Sequence, residues 1–382
     1  MKHSKNIFII AGEPSGDVRG AELLAQLKRL LPGYKFWGIG GDNMQREGCE
    51  LIEHIGNFSV IGVSEALKGL KKIFAQLEMC RSLAAEREPS ASILIDYPGF
   101  NLKLAKLFRG MNIPVVYYII PQVWAWGEWR VKDLARYADR LLVLFKFEKN
   151  FLAARGVDSA FVGHPLVESV SSFSQFPASK KKGLAVALLP GSRKSEVTKL
   201  LPILLASSRI ISERTGKDVS FILAENSNVD AKIYDGILWG FPGMNITRVK
   251  DDTLKALSLA DYAVVASGTA TLETALMLKP FVIVYKSSLL TAVMARLVLR
   301  FNYIGLANVV AGRKIIPEYL EYLAHPKLIA GGILRLMTDD TARLKMIEEL
   351  KGLKETLGPP GAAERAAREV MSVILGNVER KT

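Results

Sequence analysis

Cysteine is almost absent from this chain, with two in 382 residues, Cys49 and Cys80, which excludes a disulfide framework or a cysteine-built zinc site. A reducing, cytoplasmic setting is the natural expectation. Histidine is equally scarce, at four, and no Cys/His spacing of a zinc finger occurs. Long apolar runs are also missing. The start MKHSKNIFIIAGEPSGD holds about six apolar residues after its basic beginning, too few for a secretion signal and far too few for a membrane span. The later apolar stretch at 115–126 is interrupted by Pro121 and Gln122, so no transmembrane helix is expected. No block of six basic residues and no aromatic RNA-binding stretch is found, so nucleic acid is not the expected partner. What is present is a hydrophobic content of 49% against 23% charged residues. That is enough to bury large interiors, and the length suits two domains. Lys and Arg number 51 against 38 Asp and Glu, a formal +13, so anionic partners are expected: nucleotide diphosphates or an acidic membrane surface.

The clearest junction is LAVALLPGSRKSEV at 184–197. Six apolar residues suit a buried strand, Pro190 and Gly191 break it, and Ser192 reads as a helix N-cap beside Arg193 and Lys194. Free amides at a helix start, its dipole and a guanidinium together suit a diphosphate. A plain strand-to-helix turn fits the same residues. The loop lacks Walker spacing, which disfavours an ATPase. Strand and helix then alternate to the end, implying a second parallel sheet. Within it SGTATLE brings Ser267, Gly268 and Thr269 to a helix start with Glu273 one turn in, where a carboxylate either binds ribose hydroxyls or merely complements the dipole.

In the first half, a strand at 6–12 runs into GEPSGDVRG and a helix carrying Ala21, Leu24, Leu27 and Leu31 on one face. Gly12 and Gly16 permit a tight turn, while Ser15 and Asp17 sit where a cap or a hydroxyl contact belongs. KFWGIGG at 35–41 is an incomplete dinucleotide fingerprint. The spacing of Val60, Val63, Leu67, Leu70, Phe74 and Leu77, with Lys68, Lys71 and Lys72 opposite, predicts an amphipathic helix that faces either the core or a lipid surface. ASILIDYPGF at 91–100 delivers Asp96 to the carboxyl end of a strand, where open α/β sheets hold their ligands, or else as a helix cap. PQVWAWGEWR carries three tryptophans as a buried plug or a stacking surface. His164 before Pro165 reads as a general base or a structural residue. The polar, lysine-rich 171–183 reads as a linker.

GEPSGD at 12–17, GIGGDNM at 38–44, IDYPGFN at 95–101, IPQVWAW at 120–126, GHPL at 163–166, LLPGSRKSEV at 188–197, SGTATLE at 267–273 and NVVAGRKIIPEYL at 308–320 together resemble the lipid-A-disaccharide synthase family over nearly the whole chain. The resemblance implies an α/β glycosyltransferase of the GT-B class, two Rossmann-like domains with parallel sheets facing across a cleft. The lipid-side domain would span 1–170 and the UDP-sugar domain 184–358, with a C-terminal helix of about 360–382 packing back on the first. It implies inverting transfer of 2,3-diacylglucosamine from UDP to the 6-hydroxyl of 2,3-diacylglucosamine 1-phosphate, giving a β-1,6 disaccharide and UDP. Asp96 matches the family's strand-end aspartate and would be the base. Gly191, Ser192 and Arg193 would cradle the diphosphate, Ser267, Gly268, Thr269 and Glu273 the nucleotide, and Asn308 and Glu318 match its late nucleotide-side loop. Ser15, Gly16, Asp17 and Gln122 would lie on the sugar and acceptor side. Val60, Val63, Leu67, Leu70 and Phe74 would meet acyl chains at the cytoplasmic face of the inner membrane, where a peripheral enzyme reaches its substrates. No D-x-D pair or histidine cluster occurs in the motifs, so no metal or other cofactor is expected; a homodimer stays open. Glu321 departs from the glutamine usual in the family. Two rival readings remain: another GT-B transferase or epimerase acting on unacylated UDP-N-acetylglucosamine, and a non-catalytic peripheral membrane protein.

Overall fold

The computed structural model describes residues 4–57, 66–173, 183–216, 218–286 and 303–381. The chain divides into two units, one running to Pro165 and resuming at Pro359, the other Leu166–Gly358. The helix Leu166–Phe173 therefore groups with the second unit; of the linker expected at 171–183, residues 171–173 instead end this helix and residues 174–182 lie outside the described residues.

The first unit is built on seven strands: β1 Asn6–Ala11, β2 Lys35–Gly40, β3 Glu50–His54, β4 Ala91–Ile95, β5 Val115–Tyr118, β6 Arg140–Val143 and β7 Ala160–Phe161. All pair in parallel, in the order β3-β2-β1-β4-β5-β6-β7. Continuous apolar sequence is what such a sheet demands, because helices cover both faces; every residue of β4 and β5 is buried. The helix Ala362–Lys381 belongs to this unit and packs on the helix Pro14–Leu30. Ala363, Ala366, Ala367, Val370 and Ile374 form its buried stripe, at the three-and-four spacing of a helix face. Arg140 at the start of β6 fixes it in place, bonding Glu369 at 2.7 Å and Asp158 at 2.6 Å.

The second unit holds β8 Leu184–Leu189, β9 Val219–Glu225, β10 Ile246–Lys250, β11 Tyr262–Ala266, β12 Phe281–Tyr285 and β13 Glu318–Leu320. These too are parallel, in the order β10-β9-β8-β11-β12-β13. Each sheet thus has one place where the chain, having built outward in one direction, returns to build in the other. These places are between β1 and β4 in the first sheet and between β8 and β11 in the second. Connections leave such a point in opposite directions, so a crevice opens at the carboxyl ends of the strands. Among the described residues no helix is long and apolar enough to cross a membrane.

Candidate active site

In the first sheet Ala11 lies opposite Ile95, so the chain leaving β1 and the chain leaving β4 emerge together. It leaves β4 through two consecutive left-handed residues, Asp96 at φ +46° and Tyr97 at φ +45°. For residues with a Cβ this costs about 1–2 kcal/mol each, and it persists only where the surroundings impose it. They do so here through one oxygen. The Asp96 carbonyl accepts from Asn101 Nδ2 and from the Tyr117 hydroxyl, both at 2.8 Å, while Asn101 also donates to the Ile95 carbonyl at 3.1 Å. Gly12 makes room for the turn, since a Cβ there would stand 2.3 Å from the Tyr97 ring. The helix Pro98–Gly110 begins directly afterwards.

Asp96 is pushed up to about 6, first by burial and then by the negative charge of Glu13, against a backbone hydrogen bond from Tyr97. A carboxyl group near neutrality at a strand end has the profile of a general base. The Tyr117 phenol is raised well above its usual value by burial and by Asp96, with Arg130 opposing. His164 takes no comparable place: it is buried against Phe145, and burial lowers it to about 3, so it stays neutral.

The tryptophan loop divides its labour. Trp124 is the plug, buried, its Nε1 donating to Glu148 at 3.0 Å. The other Glu148 oxygen accepts from the amides of Leu144 and Phe145, both at 3.2 Å, yet burial still lifts this carboxyl to about 7. Trp126 and Trp129 face outward, 40% and 67% exposed. Gln122 is exposed on the same loop and its carbonyl accepts from Ala125 and Trp126.

The second unit holds a cavity of about 390 Å³ at the β8/β11 switch point. Gly191, Ser192, Arg193, Ser267, Gly268, Thr269 and Glu273 all line it, so seven residues expected to meet a nucleotide are brought together. Glu196, Glu225, Asn226, Asp251 and Thr253 line it as well. Since β9 and β10 lie outward of β8, the carboxylates of Glu225 and Asp251 mark its outer end and Arg193 its inner end. The outer carboxylates are already engaged, Glu225 by Arg248 and Asp251 by the Ser227 amide at 2.7 Å, while the Arg193 end suits a diphosphate.

Several expectations need correction. Ser192 is not the cap; the helix Lys194–Thr215 starts from Arg193, and Glu196 folds back on it. Its carboxylate accepts from the amides of Ser192 and Arg193 at 3.1 and 3.3 Å, so these two cradle amides, expected to be free, are occupied, and a diphosphate that uses them displaces Glu196. Gly191, at φ +106°, is what lets that carboxylate approach; a Cβ would stand 2.3 Å from its oxygen.

Asp17, expected on the sugar side, points inward. It is 2% exposed and braces the turn after β2, accepting from the amides of Gly41, Asn43 and Met44 and from Asn43 Nδ2, at 2.7 to 3.1 Å. Gly16 is likewise buried, with Ala11 and Ile95 against it, while Ser15 is exposed. Asn308 and Glu318 do not line the cavity. They form a buried network in which Glu318 accepts from Asn308 and from the amides of Ile304 and Gly305. Its product is a fixed carbonyl at Ile304 that receives the Ser267 hydroxyl at 2.9 Å. Of the lipid-side residues, Val60 and Val63 and the side chains of Leu67 and Leu70 lie outside the described residues. Phe74, on the helix Ala66–Arg87, is 64% exposed.

The family described as "Lipid-A-disaccharide synthetase" matches residues 7–365. The lipid-A-disaccharide synthase of Syntrophus aciditrophicus is 40% identical over 379 residues, 97% of this chain and 98% of that one. The chain belongs to the lipid-A-disaccharide synthetase family. Among solved structures, the UDP-GlcNAc 2-epimerase of Neisseria meningitidis bound to UDP-GlcNAc aligns with a TM-score of 0.60 at 10% identity, covering 97% of this chain and all of that one. MurG of Acinetobacter baumannii aligns at 0.55 and 14%, covering 96% and 99%. At such identities the likeness concerns fold: two Rossmann-like units of the GT-B class.

For a member of this family the residues that sequence reasoning overlooked are mostly supports. Asn101 and Tyr117 hold the Asp96 turn, and Glu148 holds the tryptophan loop. Glu13, in the GEPSGD motif, brings its negative charge close enough to raise Asp96. Only Glu196 left a readable signal, as the acidic residue three places after a helix start.

Proposed function

We infer that this chain is the glycosyltransferase that forms the lipid A disaccharide from UDP-2,3-diacylglucosamine and 2,3-diacylglucosamine 1-phosphate. Family membership supports the reaction, and the Asp96 turn is the observation that carries the chemistry. Asp96 takes the proton of the acceptor 6-hydroxyl as that oxygen bonds to the anomeric carbon of the donor. The bond from that carbon to the UDP oxygen breaks, configuration inverts, and the electron pair departs on the diphosphate. A carboxylate raised to about 6 is ionised at neutral pH yet basic enough to share the proton in the transition state. The second unit's cavity holds the nucleotide, with Arg193 on the diphosphate and Glu273 on the ribose; Glu196 yields its amides when the diphosphate arrives. Stabilising a leaving diphosphate by preorganised donors is where most of the rate acceleration arises in such transfers.

Acylated substrates lie at a bilayer surface. The formal +13 charge and the exposed Phe74 beside Lys103 support peripheral contact through the helix Ala66–Arg87. Flotation with anionic vesicles tests this, Phe74→Asp being expected to weaken it.

Mass spectrometry of the products tests the reaction. Wild-type protein given both acylated substrates is expected to yield one disaccharide 1-phosphate and one UDP per turnover. Asp96→Ala is expected to slow it by about 100-fold to 10,000-fold while leaving UDP affinity intact. Full activity in that variant removes Asp96 from the role.

A further inference from the structure

We propose that Arg130 binds the phosphate of the sugar-phosphate acceptor and sets the enzyme's preference for a phosphorylated one; this rests on the reading of the first unit as the acceptor side. Arg130 opens the helix Arg130–Tyr137. One of its terminal nitrogens, Nη1, is buried and has no hydrogen-bond partner, and among the described residues Arg130 forms no ion pair. A buried guanidinium N–H left unpaired is costly, and more so than a neutral donor. An anionic ligand removes that cost.

The surroundings have the form of a built anion site. The guanidinium lies over the Trp126 ring at 4.5 Å and the Trp129 ring at 5.6 Å. A cation held over ring faces keeps its N–H donors available for hydrogen bonds to an anion. The stem crosses Gly127, at φ +78°, where a Cβ would sit 3.5 Å from Arg130 Cδ. The loop beneath is pinned at both ends, by Trp124 on Glu148 at 3.0 Å and by Glu128 on Arg155 at 2.7 Å. Little ordering is left to be done on binding, which favours affinity.

Placement argues for the acceptor. Arg130 and Asp96 act with opposite signs on the Tyr117 phenol, whose hydroxyl holds the Asp96 carbonyl. The cation and the base therefore share one corner of the sheet, at the ends of β4 and β5. A sugar whose hydroxyl reaches Asp96 brings its phosphate within the same neighbourhood, and a phosphomonoester offers the paired oxygens that arginine binds in bidentate fashion.

The test compares 2,3-diacylglucosamine 1-phosphate with the same sugar lacking phosphate, in wild type, Arg130→Gln and Arg130→Lys, with acceptor and donor varied in turn while the other is saturating. Wild type is expected to prefer the phosphorylated acceptor by roughly 10-fold to 100-fold in kcat/KM. Arg130→Gln should collapse that ratio through the acceptor KM without raising the donor KM, and Arg130→Lys should restore part of it. A ratio preserved in Arg130→Gln overturns the proposal, and so does a rise confined to the donor KM. In parallel, glucosamine 1-phosphate is titrated against Trp126 and Trp129 fluorescence. Should wild type form no disaccharide yet bind this probe in an Arg130-dependent way, the reaction assigned above fails and the phosphate site stands. If neither variant changes probe binding, the phosphate site fails.

Discussion

Replacing Asp96 by asparagine tests the base and its environment at once, because the same burial that tunes the carboxyl also strains the fold. Its value is raised from 3.8 to about 6, and each unit is equivalent to about 1.4 kcal/mol. A group whose folded value is raised binds its proton more tightly when folded. Ionising it therefore costs stability, and the cost accumulates as pH climbs from the unfolded value through the folded one. At pH 8 the ionised Asp96 destabilises the first unit by about 3 kcal/mol; at pH 4 most of that penalty is gone. Asparagine keeps the shape and can still accept from the Tyr97 amide, but never ionises. Asp96→Asn is thus expected to be nearly inactive and yet more stable than wild type at pH 8, by up to about 3 kcal/mol, with a gain below about 1 kcal/mol at pH 4. Urea unfolding at several pH values, followed by tryptophan fluorescence, reads the difference directly. A gain that is flat across that range, or a variant less stable at pH 8, would refute the claim that burial and Glu13 hold this carboxyl near neutrality.

Gly191→Ala places a Cβ 2.3 Å from the Glu196 carboxylate at a backbone φ of +106°, so the turn must open. UDP affinity by calorimetry is expected to fall by at least about 10-fold, and unchanged affinity would separate this turn from the nucleotide. Asp17→Asn turns an amide toward the N–H groups of residues 41–44 and should cost roughly 2–4 kcal/mol of stability; a neutral result by calorimetry would mean the brace is dispensable. Glu148→Ala strands the Trp124 indole N–H and two backbone amides. It should cost roughly 2–4 kcal/mol and redshift the tryptophan emission, and an unshifted spectrum would contradict the plug.

The strand ends were the legible part. Asp96 stood out because an apolar run ends on it, and 191–193 and 267–269 because apolar strands break there into small and cationic residues. Asp96 does sit at the carboxyl end of the first sheet, and both clusters at the carboxyl end of the second. What escaped notice depends on contacts distant in sequence or on backbone angles. Asp17 looked like a ligand contact since nothing in its own neighbourhood reveals that residues 41–44 return to it, 24 positions later for Gly41. Glu318 was expected on a late nucleotide-side loop but opens β13, a three-residue edge strand too short to show a pattern. ELIEH at β3 mixes charged and apolar residues on a half-buried edge, unlike the apolar strands inside. The left-handed pair at 96–97 has no compositional signature at all, because Asp and Tyr adopt it only under the grip of Asn101 and Tyr117.

The dependence of kcat/KM on pH tests the central claim most directly. The account predicts an acid limb of unit slope centred near 6, activity falling as pH drops through it because the base becomes protonated. The limb is expected to be missing from the residual activity of Asp96→Asn. A profile without that limb between pH 5 and 8, or a limb that survives in the asparagine variant, would contradict Asp96 as the group that takes the proton.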